Sequence, residues 1–273
     1  VLKALHFDYK RLASSFKLTA HLPILHKSLQ LARHSLFKKK IYKPIKLRAK
    51  EAYVSFCFDD VHSTAFENGQ IILDDFQIRA TFYLSLSFLL SGKNTRSEPR
   101  FSIKQLEFAH NSGHELACHT FSHLDVNKIE SLDKLSDNIN KNRQAIEDLP
   151  ISLNKFKNFA YPYGRVNLGY KNYLSTQFST CRGTDIGINT QVIDADYLKA
   201  VPLYENIIDL KKINALLKET ENGGWLIFYT HDVQTHFSNY GCSPFFLQSV
   251  ITLCLQHKVR ISSMEEVLSD IEK

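Results

Sequence analysis

Two carboxylates, Asp59 and Asp60, stand side by side at the end of the apolar run "YVSFCF" (53–58). In a solvated turn such a pair would be ordinary, so its meaning depends on what else the chain brings near it. Two further strand-like runs also end abruptly in ionisable groups. "HELACH" leads into "HTFSH", with His119 and His123 four apart, and "WLIFYTH" ends in His231 followed by Asp232. On a helix His119 and His123 would share a face, and in a tight loop they can still converge. Two imidazoles and one carboxylate suit a borderline divalent ion, Zn²⁺ foremost, and leave positions open for water and substrate. In a chain with 12 histidines an isolated HxxxH is more often two surface side chains. A carboxylate at the end of another strand reverses that balance.

The elements that would position these residues follow from periodicity. From about residue 50, apolar β-like runs alternate with helical patterns. Strand-like runs fall at 53–58, 79–86, 114–119, 156–162, 178–182, 198–203, 225–231 and 259–263. Helical patterns fall between them at 63–76, 102–113, 130–149, 209–224, 244–257 and 263–273. Ser63 is an expected N-cap, Gly113 and Gly223–Gly224 are stop signals, and Ser263 with Glu266 forms a capping box. Repeated β-then-α units predict parallel strands with crossover helices, as a barrel or an open sheet. In either, chemistry collects at the carboxyl ends of the strands. The residues placed there are Asp59, Asp60, His119, His123, Tyr161 to Gly164, Arg182, His231 and Asp232.

Composition bounds the reading. The chain has 273 residues, 44% of them hydrophobic, enough for a substantial core. No glycine-rich phosphate loop follows a strand, which leaves nucleotide binding without support. Five cysteines with no CxxC pair read as buried reduced thiols. No apolar run is long enough to span a membrane and no secretory leader is apparent, so a cytoplasmic location is expected. Charge is uneven: residues 1–50 carry 13 Lys or Arg against one acid, Asp8, while the rest of the chain holds 21 bases and 27 acids. This divides the chain into a basic N-terminal extension (1–49) and a mildly acidic body (50–273). Within the extension, apolar residues at 22, 25, 29, 32 and 36 form a stripe on a basic helix. Residues 20–48 could lie on an anionic membrane at its inner, cytoplasmic face or pack on the body. An acidic body without a reader motif argues against nucleic acid.

The segments "FCFDD", "HTFSH", "FAYPYG" and "LIFYTHD", in that order, resemble the polysaccharide deacetylase family (NodB homology, carbohydrate esterase family 4) over roughly residues 50–265. The resemblance implies a distorted (β/α)7 barrel of the glycoside hydrolase/deacetylase type. It implies a metal-dependent hydrolase that removes an N-acetyl group from a sugar in a polysaccharide or glycan-assembly intermediate. By motif, Asp59 would be the general base and His231 the general acid. Asp60, His119 and His123 would hold the ion, and a backbone N–H at Tyr163 would face the oxyanion. Tyr161 and Tyr163, flanking Pro162, would line the sugar site. The paired carboxylates then divide two tasks that one could not easily perform: ligation and proton acceptance.

Two positions depart from the family pattern. Val61 stands where the family has Gly, and Ala160 stands where it has the Arg that orients the base. Arg182, on a neighbouring strand, is a candidate replacement. Asp194, Asp196 and Asp232 are candidates for the acid that supports His231. Two rival functions remain open: hydrolysis of another C–N bond, such as a formamide or cyclic amide, and glycan binding by a non-catalytic relative.

Overall fold

The computed structural model describes residues 43–48, 51–90, 100–257 and 259–273. The expected amphipathic stripe at 22–36 lies outside them. Among the described residues there are ten strands: β1 (Pro44–Lys46), β2 (Ala52–Asp59), β3 (Thr81–Leu84), β4 (Glu115–Cys118), β5 (Asn158–Ala160), β6 (Thr180–Arg182), β7 (Val192–Asp194), β8 (Val201–Pro202), β9 (Gly224–Thr230) and β10 (Arg260–Ile261). Strands β2 to β6, then β8 and β9, follow one another in chain order around a curled sheet, and β10 adds to the start of β2. Every pairing in this sheet is parallel.

One segment links the two edges of the sheet. Leu198 exchanges hydrogen bonds with β6, donating to Cys181 O and accepting from Gly183 N, both at 2.9 Å. A few residues later β8 pairs with β9, and Leu203 N donates to Tyr229 O at 2.8 Å. The result is a distorted (β/α)7 barrel, as the motif resemblance implied.

Strands β2 and β9 are buried almost throughout because helices cover their outer face, so they read as continuous apolar runs. Alternation still sorts their side chains. Val54, Phe56 and Phe58 join the outer core beneath the helices, where Phe82 stacks between Phe58 and Phe66 at 4.8 Å from each. Tyr53 and Cys57 pack in the inner cluster with Tyr83, Ala117, Ala160 and Tyr229. With a period of two, Asp59 continues the inner set of β2, His119 that of β4, and His231 that of β9.

The outer helices are α1 (Ile71–Asp75), α2 (Ser87–Leu90), α3 (Ile103–Asn111), α4 (Leu132–Glu147), α5 (Leu168–Gln177), α6 (Leu210–Thr220), α7 (Pro244–Gln256) and α8 (Met264–Ile271). Side chains cap most of them: Ser102 and Ser263 form full capping boxes, and Ser131, Asp209 and Ser243 each accept from the third helical N–H.

Several local expectations are corrected. Residues 63–76 are not one α-helix: a π-helical turn (Ala65–Gln70) precedes α1, and the cap position is Thr64, whose side chain makes no capping bond, not Ser63. Helices α2 and α5 and strands β1 and β7 carry weak periodicity and were not anticipated. Strand β1 pairs antiparallel with β7. The unit that includes the barrel spans residues 41–273, so it begins earlier in the chain than residue 50. Among the described residues, no helix is long and apolar enough to cross a membrane.

Candidate active site

The site is built where β2, β4, β5, β6 and β9 end, and the backbone there departs from ordinary geometry. Seven described non-glycine residues have positive φ, and five of them are here: Asp60 (58°), Val61 (34°), Thr120 (61°), His123 (52°) and Tyr163 (59°). Left-handed backbone costs an L-residue roughly 1–2 kcal/mol, and a β-branched residue there is a marked outlier. Val61 therefore occupies a conformation suited to glycine, the family's usual residue at that place. Such concentrated strain persists only where surrounding contacts enforce it, and it marks sites of function.

The turn at Asp60 swings its carboxylate out of the strand direction and toward the loop after β4. Its Oδ1 lies 3.1 Å from His123 Nε2 and 3.6 Å from His119 Nε2. Of the two arrangements open for His119 and His123, the loop is the one present: the two sit in an irregular segment, with ring centroids 5.0 Å apart. Ligand atoms of Asp60, His119 and His123 all fall within 4.8 Å of one another. His119 Nδ1 is 2.8 Å from Ala160 O, a carbonyl that can only accept, so Nδ1 carries the hydrogen and Nε2 presents a lone pair. That lone pair faces Asp60 Oδ1, which is buried and has no hydrogen-bond partner. An orphaned carboxylate oxygen opposite a lone-pair nitrogen, with a second imidazole beside them, is a donor set that fits a divalent ion. Burial pushes the His119 and His123 imidazoles down to about 4, so both are neutral near pH 7, the state that ligation requires.

Asp59 points into the barrel and accepts a hydrogen bond from Arg182 Nη2. Arg182 is fully buried and sandwiched between the rings of Tyr83 (4.9 Å) and Tyr229 (5.0 Å), with Nη1 donating to Gly183 O at 3.0 Å. Burial alone would raise the Asp59 carboxyl, but Arg182, with His119 and His231, outweighs it and holds the group below its ordinary value. The register explains why this arginine can reach. Ala160 and Arg182 are direct partners across β5 and β6, so a side chain from either enters the same space. The guanidinium missing at 160 is present one strand over.

His231 is half-buried, with Nδ1 3.3 Å from Tyr240 O. None of the three acids considered as its support is hydrogen-bonded to it. Asp194 pairs with Lys171 and accepts from Lys43 N. Asp232 accepts from Ser238 Oγ (2.5 Å), Ser238 N (2.9 Å) and Gln234 Nε2 (2.9 Å), closing its own loop. Asp196 is buried, and burial raises its carboxyl. The partner within reach of its Nδ1 is a backbone carbonyl.

In the "PYG" turn, Pro162–Gly164, Tyr163 is 58% exposed and its ring edge meets His123 at 4.4 Å. The turn closes through the N–H groups of Gly164 and Arg165, so it does not use that of Tyr163. Tyr161 is buried instead of lining a cleft: its hydroxyl donates to Asp196 O at 3.1 Å and its ring packs on Phe159. The alternation of β5 sends it to the outer core. Sequence reasoning missed Tyr83 and Tyr229, although each precedes a strand-end position by two and so shares its face. It also missed Arg100, 3.5 Å from Asp60 Oδ2, which lies in a loop with no periodic signal.

Fold and site together define a parallel barrel with a two-histidine, one-carboxylate cluster and a second, arginine-held carboxylate at the carboxyl ends of its strands. Residues 46–177 match the family model described as polysaccharide deacetylase. Over these residues the chain is similar to that family. No sequence among curated proteins matches it. Solved structures share the fold at low identity. The family 4 esterase domain of a multidomain xylanase from the Trinervitermes trinervoides hindgut metagenome is 16% identical, with TM-score 0.54, covering 81% of this chain and 91% of that one. The Streptomyces lividans family 4 carbohydrate esterase, solved with acetate, is 17% identical, with TM-score 0.53, covering 78% and 92%. A family 4 pseudoenzyme from Bacillus anthracis is 15% identical, with TM-score 0.55, covering 81% and 66%.

Proposed function

We propose that this chain is a metal-dependent hydrolase that removes the N-acetyl group from a sugar in a polysaccharide or glycan-assembly intermediate. The observation that carries the reading is the convergence of Asp60, His119 and His123 around an orphaned carboxylate oxygen, beside a second carboxylate held ionised by Arg182. Asp60, His119 and His123 would hold the ion, with Zn²⁺ best suited to the donor set. When bound, the ion supplies a Lewis acid that polarises the acyl carbonyl and lowers the pKa of water.

The chain's own residues do the rest. Asp59 accepts the proton of the attacking water, and Arg182 fixes its orientation. The N–H of Tyr163 donates to the developing oxyanion, and the exposed Tyr163 ring offers a wall for the sugar. His231, with Nδ1–H on the Tyr240 carbonyl, passes a proton from Nε2 to the leaving amine, so that an amine and not an amide ion departs.

The test is acetate release from N-acetylated sugars by protein loaded with Zn²⁺ or Co²⁺, with bound metal measured in parallel. Asp60→Asn and His123→Ala should lose both metal and activity; full retention of both would sink the assignment. Loss of a formyl group or opening of a ring, seen by product mass, would redirect the reading to another C–N bond. Saturable sugar binding with metal but without turnover would place the chain with non-catalytic relatives such as the Bacillus anthracis protein.

The excess of bases in residues 1–50 supports a second proposal, that the stretch 20–48, in its part ahead of β1, rests on an anionic membrane surface at the cytoplasmic face. Co-sedimentation with phosphatidylserine vesicles, lost at high salt or on removing residues 1–40, is the expected result. Equal binding to neutral vesicles would refute it.

A further inference from the structure

Asp59 and Asp60 each face an arginine, and the two arginines differ in kind. Arg182 is sealed inside the barrel. Arg100 is half-exposed and comes from the loop before α3, with Nη1 3.5 Å from Asp60 Oδ2. Its guanidinium lies 3.9 Å over the ring of Phe88, on α2, and its own N–H donates to the Phe88 carbonyl at 3.2 Å. The Phe88 ring in turn stands 6.2 Å from the His123 ring. A single cation–aromatic unit thus engages the outer oxygen of Asp60 and flanks one of the imidazoles. The other oxygen, Oδ1, is the orphaned atom between His119 and His123.

We propose that Arg100 is a positioning residue for Asp60: it holds Oδ2, so that the carboxylate presents only Oδ1 to the ion. A carboxylate with both oxygens free can ligate through both, and the second takes up a position that water and the acyl oxygen need. Groups behind the ligands commonly set this choice. An arginine suits the task because it is planar and always charged, and the Phe88 face fixes its orientation by a cation–π contact. A lysine there would supply charge without the planar fork.

This inference rests on the metal-binding reading above. The test loads wild type, Arg100→Ala, Arg100→Lys and Phe88→Leu with Co²⁺. It records visible absorption, affinity by chelator competition, and kcat and KM for acetate release. Arg100→Ala is expected to weaken the cobalt bands as the coordination number rises, to shift Co²⁺ affinity by about 10–100-fold, and to lower kcat more than it changes KM. Arg100→Lys should restore part of each effect, and Phe88→Leu should move the spectrum in the same direction by less. Wild type that binds Co²⁺, with Arg100→Ala unchanged in spectrum, affinity and kcat, overturns the inference alone. Wild type that binds no Co²⁺ overturns the metal reading and this inference with it.

Discussion

The barrel interior holds two polar layers, one at each end of the strands, and they are finished differently. At the amino end Glu115 is buried and saturated. It accepts from Asn158 Nδ2 (2.5 Å), Thr81 Oγ1 (2.8 Å) and the N–H of Glu265 at the start of α8 (2.9 Å). Asn158 in turn accepts from Thr180 N (3.0 Å) and Thr180 Oγ1 (2.7 Å). At the carboxyl end Asp60 Oδ1 is buried without any such bond, and Asp60 is one of five strained residues at that end. Between them lies a layer of Cys57, Tyr83, Ala117, Ala160 and Tyr229. Burial and ionisable groups are therefore common to both ends. At the amino end a hydrogen-bonded carboxyl joins strands to a helix; at the carboxyl end a carboxylate oxygen is left without a hydrogen-bond partner.

The largest effects that would break this contrast lie at the carboxyl end. Asp59→Asn should keep the bound metal, measured by elemental analysis, while kcat falls by about 10²–10⁴, the usual worth of a general base. Equal loss of metal would show that Asp59 is a ligand instead. Next comes the buried pair. Arg182→Met should lower unfolding free energy by about 3–5 kcal/mol in denaturant melts, because Asp59 is left as an uncompensated charge. Adding Ala160→Arg to Arg182→Ala should recover part of both stability and activity, since the two positions are register partners.

At the amino end the expected effect is on pH dependence. Burial raises the Glu115 carboxyl to about 7, against its hydrogen bonds from Asn158, Glu265 and Thr81. The folded value exceeds the unfolded one, so the native state holds a proton that the unfolded chain has released. That contribution is fully present below about pH 4.5 and is lost as pH rises through 7. Glu115→Gln should flatten the fall in stability between those values, an effect on the order of 3 kcal/mol at one pKa unit per 1.36 kcal/mol. An unchanged slope in melts from pH 4.5 to 8 would refute it. The smallest change is Ser263→Ala, which removes the capping box that seats α8 against Glu115. It should cost about 1 kcal/mol in stability and leave metal affinity unaltered.

Much of this was legible in the linear chain because strands and helices announce themselves by period. The runs ending at Asp59, His119 and His231 placed those residues at strand ends, and parallel β/α topology brings strand ends together. The motif order carried the family. What the sequence did not carry depends on register and on loops without periodicity. The sequence offered Arg182 as a candidate for the arginine absent at 160, but its reach to Asp59 depends on β5 and β6 being in register, and Arg100 emerges from a loop of no pattern. The support of His231 by the Tyr240 carbonyl has no sequence signal at all, because every residue has a carbonyl. Residue types and periodicity determined which groups exist and which end of the barrel they reach. Tertiary structure alone decided which oxygen of Asp60 is left open, because that depends on contacts a few ångströms long between segments far apart in the chain.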